Sequence, residues 1–166
     1  MERFITPETA LFVFAEEEKL ILQTKEVNDN VIPSSNAIMA ENLIRASVYL
    51  GQIDCYDHTK EMIALVAKDM LDYPRAYSTW LRLAISLQEP PIEIVVVGTK
   101  AIEWIKDLKR SYLKVNHWAA SITASEAPLF KGRYQAGKTL IYLCKNNQCN
   151  LPYTSLEEFK TSEKLN

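Results

Sequence analysis

Between residues 36 and 50 the apolar side chains recur at helical spacing. Met39, Leu43, Ala46 and Leu50 form one stripe, and Ala37, Ala40, Ile44 and Val48 form a second beside it. Two adjacent stripes predict a helix buried over a wide face. Glu41 and Arg45 make an i,i+4 pair on what is left, and Gly51 ends the element. A second helix is predicted over about 57–72, with Met62, Ile63, Val66, Ala67 and Met70 inward. A third, over about 74–88, begins near Pro74, where a missing N–H costs nothing. It turns Tyr77, Trp80, Leu81, Ala84 and Leu87 inward and is stopped by Pro90-Pro91. Short connections make these helices antiparallel neighbours. Ahead of them, apolar runs at 11–14 and 20–24 flank an acidic turn and predict a hairpin.

Past the proline pair the period changes. Residues 92–97, IEIVVV, form a nearly continuous β-branched run closed by Gly98. Such a run suits a strand buried on both faces, as in a parallel sheet. A helix is predicted over about 99–111, and strands over 115–122 and 138–144. Thr154-Ser155-Leu156-Glu157-Glu158 carries overlapping capping boxes that open a last helix. The expected fold is therefore mixed α/β. Residues 1–90 form a hairpin and a helical lobe, and residues 91–166 a small, mostly parallel α/β lobe.

Composition narrows the function. Of 166 residues 48% are hydrophobic, enough for one domain or two small lobes. The formal charge is −2, with both signs mixed and no basic stripe, which argues against a nucleic-acid partner. No apolar run approaches the roughly 20 residues of a membrane helix. The N-terminus has no basic region followed by a long apolar core, so a secretory signal is not expected. Three cysteines fit a reducing compartment better than a disulfide framework, and a cytoplasmic protein is expected.

Candidate chemistry concentrates in two places. The stretch NDNVIPSSN before the first helix holds more polar side chains than one N-cap needs. Pro33 pushes Ile32 into an extended conformation, and Asn36 or Ser35 can cap the helix. The surplus either makes local Asx and Ser/Thr turns or forms a polar lip around a ligand. Glu26 and Asp29 flank the same loop and could act as acid and base, or be solvated loop charges. The second place is Cys144-Lys-Asn-Asn-Gln-Cys149, a redox-active or merely neighbouring pair. With Cys55 and His58 it would offer a Cys3His zinc set, but the two half-motifs fall in different lobes, and neither metal nor cofactor is expected. Val97-Gly98-Thr99 lacks both phosphate-loop fingerprints, and His58 and His117 lie in no catalytic motif. Trp80, Trp104 and Trp118 read as core.

Three segments in order carry a resemblance. DNVIPSSNAIMAENLIRASVYLG, IEIVVVG and IYLCKNNQCNLPYTSLEEF resemble segments of the bacterial YyaL-like proteins and the animal spermatogenesis-associated thioredoxin-domain proteins. The similarity spans about 11–160. Ser35 and Asn30 stand where that family usually has glycine. Members of the family join a thioredoxin-like domain, an (α/α)6 toroid like that of six-hairpin glycosidases, and a small α/β portion. The resemblance implies that this chain corresponds to the end of the toroid and the last portion. It implies that Asp29, Ser34, Ser35 and Asn36 line the mouth of a pocket for a sugar-like ligand. The alternative is a non-catalytic interaction module that kept the fold. The isolated chain is not expected to be catalytic. An incomplete toroid leaves apolar helix flanks open, and monomers rarely expose patches beyond ~600 Å². A homodimer through the helical lobe, or a partner supplying the missing helices, is expected. The rival is that the hairpin over 11–24 folds across the open flank.

Overall fold

The computed structural model describes residues 9–13, 25–111, 113–145 and 148–163. Beyond Val13, the hairpin expected over 11–24 lies outside these residues. The chain divides into two compact units, Met1–Gln88 and Glu89–Asn166. Among the described residues no helix is long and apolar enough to cross a membrane.

Among its described residues the first unit packs three helices, α1 (Ser35–Tyr49), α2 (Ile53–Asp72) and α3 (Ser78–Ser86), with a 3-10 turn at Pro74–Tyr77 leading into α3. The cap of α1 is Ser34, one residue before the expected pair; its Oγ accepts the Ala37 N–H at 3.1 Å. Ala37, Ala40 and Leu43 face a core with Met62, Val66, Met70, Trp80 and Leu83. Leu11 and Phe12 join the same cluster. Part of the flank expected to be open is therefore covered by the chain's own N-terminal segment. Thr59, fully buried, donates to the Ala40 carbonyl at 3.2 Å and ties α2 to α1.

The second unit is a four-stranded sheet with two helices. Its strands are β1 (Ile92–Val97), β2 (His117–Ser121), β3 (Leu140–Lys145) and β4 (Gln148–Cys149), in the order β2-β1-β3-β4. The helices are α4 (Ala101–Leu108) and α5 (Leu156–Ser162). On one face Ile94, Val96 and Ile141 pack with Ala101, Ile105, Leu108 and Phe159. The alternate residues Val95 and Val97 are also buried, so β1 is covered on both faces. Lys160 pairs with Asp107 at 2.6 Å and holds α5 to α4. Ser155 caps α5 by accepting the Glu158 N–H, while Glu158 reaches back to accept the N–H of Thr154, one residue before the N-cap that a strict capping box would use.

The sheet is not mostly parallel. β1 pairs in parallel with β2 through the crossover helix α4, but β1–β3 and β3–β4 are antiparallel. Register gives the reason. Val97 lies opposite both Ser121 and Leu140, so the connection 122–139 leaves and rejoins the sheet at the same end. No helix carries the chain back to the other end, and β3 must run against β1. The β-branched run reported burial on two faces, which a central strand of a mixed sheet also has.

Gly98 turns the chain from β1 into α4 at φ +125°. A Cβ there would overlap the Lys138 carbonyl and the Thr139 backbone. Gly98→Ala is expected to destabilise the protein by about 3 kcal/mol, from strain and from parting the ends of β1 and β3. Urea unfolding measures this, and a loss below about 1 kcal/mol would show that the turn relaxes freely.

Candidate functional site

The polar loop before α1 is tied into the unit by its own side chains. Asp29 Oδ1 accepts the Ser34 N–H at 2.9 Å. Its Oδ2 accepts the Thr79 N–H at 2.8 Å and the Ser78 hydroxyl at 2.9 Å. One carboxylate thus satisfies donors at the N-termini of both α1 and α3. Burial works against its charge, but the Thr79 and Ser34 N–H groups and the Ser78 hydroxyl outweigh that and hold its pKa below the usual value. Asn36, 1% exposed, accepts the Phe12 N–H at 2.7 Å and donates to the carbonyls of Phe12 and Glu26. Glu26 accepts the Ser35 N–H at 3.2 Å. Ser35 itself is exposed. The structure therefore gives Asp29, Ser34 and Asn36 internal partners, and Glu26 and Asp29 serve as acceptors for helix and loop N–H groups.

A second constellation lies in the sheet. Register places His117 on β2 opposite Glu93 on β1, Glu93 opposite Cys144 on β3, and Cys144 opposite Cys149 on β4. Four chemically capable side chains thus form one row across all four strands, on the face away from α4 and α5. Cys144 and Cys149 are joined by a disulfide, while Cys55 is free and buried. The pair read as redox-active or merely neighbouring is thus bonded to itself. With those two sulfurs bonded to each other, the Cys3His zinc set does not form. His58 Nε2 instead donates to the Ala10 carbonyl at 2.7 Å. Among the described residues no group of three or more His, Cys, Asp or Glu could hold a metal ion.

The two sulfurs differ in setting. Cys144 is 1% exposed and Cys149 is exposed. Arg133, from the connection 122–139, donates from Nη2 to Cys149 Sγ at 3.2 Å and sits 5.4 Å from the Tyr142 ring. Its buried Nη1 has no hydrogen-bond partner among the described residues. Glu93 is 5% exposed; burial raises its pKa above the usual carboxylate range, and Arg133 pulls the other way. The disulfide closes a loop with a sequence separation of only 5. By chain entropy it contributes about 2 kcal/mol, too little for the unit's fold to hinge on it. An open depression lined by Pro90, Leu143, Lys145, Gln148 and Asn150 lies along the same hairpin.

Comparison with protein-family models, curated proteins and solved structures finds no match. The site is accordingly described by its own geometry. Glu93 and Arg133 were not singled out from the sequence, and His117 was set aside because it lies in no motif. The available signal was Glu93, a carboxylate inside a run otherwise fit for complete burial.

Two measurements test the polar loop. Asn36→Ala removes the partners of the Phe12 N–H and C=O and is expected to cost about 3 kcal/mol in urea unfolding at neutral pH. A loss within about 0.5 kcal/mol would mean that water replaces the amide. Asp29 has a depressed folded pKa, so its contribution is complete above the unfolded value and is lost as pH falls through the folded one. The wild type should lose stability below about pH 4, and Asp29→Asn should lack that part of the loss. Identical acid limbs for the two proteins would refute it.

Proposed function

We propose that the chain is a non-catalytic interaction module, the C-terminal portion of a YyaL-like thioredoxin-related protein. The observation that carries this reading is the occupation of Asp29, Ser34 and Asn36 by internal hydrogen bonds. A sugar pocket needs polar groups aimed at its ligand, and here those groups fasten backbone. Of the four residues that the family resemblance points to, Ser35 alone keeps an exposed side chain without a hydrogen-bond partner among the described residues.

The interaction half of the reading rests on the helical unit. Leu50, Ile53, Leu65, Leu71 and Ile85 are more than half exposed although Leu11 and Phe12 already cover part of the core. In the isolated chain we assign this surface to a homodimer; in a complete toroid, further helical hairpins would take the same place. The setting we favour is cytoplasmic, supported by the free thiol of Cys55. In that compartment the Cys144–Cys149 bond would be exchanged in use rather than permanent.

Sedimentation at micromolar concentration tests the docking. A species heavier than the 19.0 kDa chain is expected. The double variant Leu65→Glu, Leu71→Glu should return it to monomer with unchanged circular dichroism. A clean 19.0 kDa wild type overturns the dimer. Monosaccharide titration followed by amide NMR shifts tests the rest. Saturable shifts confined to residues 28–36 would replace the non-catalytic reading with the sugar-pocket one.

A further inference from the structure

We propose that the Cys144–Cys149 disulfide is a thiol–disulfide exchange site that accepts electrons from a dithiol, with Cys149 attacked, Arg133 steadying its thiolate and Glu93 serving Cys144 as proton donor. The inference goes beyond the reading above: that reading concerns the polar loop and the helical unit, and this one adds a stoichiometric redox site in the sheet unit.

Exchange requires a thiolate to reach one sulfur in line with the bond while the other departs. Only Cys149 is exposed, on the two-residue outer strand β4, so it is the sulfur that an incoming thiolate meets. Cys144 is buried on β3 and must leave into the interior. A thiolate buried without a partner is strongly disfavoured, so a proton source beside it lowers the barrier. The register partner of Cys144 is Glu93, on the same face of the sheet. Directly opposed residues of an antiparallel pair have Cβ atoms about 5 Å apart, within reach of a carboxyl and a thiol. Burial favours the protonated carboxyl that a donor must be. The other groups facing Glu93 are His117 from β2, Tyr142 from β3 and Arg133 from the connection above the sheet.

The chemistry balances in two steps. One thiol of the substrate loses its proton to solvent, and its thiolate attacks Cys149 Sγ. The Cys144–Cys149 bond breaks, its electron pair stays on Cys144, and Cys144 takes the Glu93 proton. The second substrate thiol, deprotonated in turn, attacks the first substrate sulfur and expels Cys149 as a thiolate. That thiolate forms against the Arg133 guanidinium, whose Nη2 already touches the sulfur and whose Nη1 has no other partner among the described residues. Glu93 regains its proton from solvent. The substrate becomes a disulfide, and two electrons rest on the cysteine pair.

The test uses the full chain with dithiothreitol as the dithiol, alkylating free thiols and weighing the product. Native protein should be reduced reversibly, with its circular dichroism retained. The reduced Cys149 should be alkylated at pH 6 at least about tenfold faster than a free cysteine model, and Arg133→Gln should abolish that excess. Glu93→Gln should slow reduction by about tenfold or more and remove the carboxyl's inflection from the pH–rate profile. The Cys144→Ser protein, in which Cys149 is an exposed thiol and Cys55 stays buried, reports the Cys149 pKa without the disulfide and guards against misfolding of the other variants. Reduction only in denaturant would make the bond a structural staple and overturn the proposal. So would an ordinary Cys149 pKa together with a Glu93→Gln profile matching the wild type.

Discussion

An irregular stretch of backbone can be buried only if its N–H and C=O groups find partners. Within the helical unit two side chains each meet that constraint for several groups at once. Asn36 does for residue 12 what a neighbouring strand would do, pairing both its donor and its acceptor. Asp29 does the same for the starts of two helices at once. The aromatic core depends on these bonds. Trp80 sits fully buried because its indole N–H reaches the Val27 carbonyl at 2.7 Å, on the same stretch that Asp29 anchors.

The same constraint explains the character of the sheet. Glu93 occupies a central strand whose other side chains are aliphatic. A charge there is expensive to desolvate, and the structure surrounds it with His117, Cys144 and the reach of Arg133 rather than with more hydrocarbon. Polar groups gathered in one row on an apolar sheet are hard to justify by stability alone. An aliphatic residue at 93 would pack with less loss.

How much of this could be read from the chain differs by residue. The β-branched run marked β1 at its observed limits, because a fully buried strand writes its length in consecutive apolar residues. The Ser155 cap was legible since all its partners lie within four residues. The start of α2 was placed too late, as Gln52 makes no side-chain cap and leaves the boundary unmarked. The surplus polar groups of NDNVIPSSN were visible, but their partners were not. Asn36 reaches 24 residues back and Asp29 reaches 50 forward, and spacing in sequence carries no information about such distances. The row across the sheet was hidden for a related reason. It exists only once the register of three strand pairs is known, and register is set by where each connection returns.

The return of 122–139 to the end of the sheet from which it left has an architectural consequence. Both of its ends are anchored beside Gly98: Ser121 accepts the Gly98 N–H, and Thr139 accepts the Lys100 N–H. Between those ends the segment is also fastened to the sheet, since the Tyr142 hydroxyl donates to the Arg133 carbonyl, so its freedom lies at its exposed turns. Extra sequence, even a whole folded domain, could be spliced near the exposed Gly137 without altering any strand pairing, because loop closure there is already established by the sheet. The unit thus combines a fixed frame with an exposed turn at which added length leaves the strand pairing unchanged.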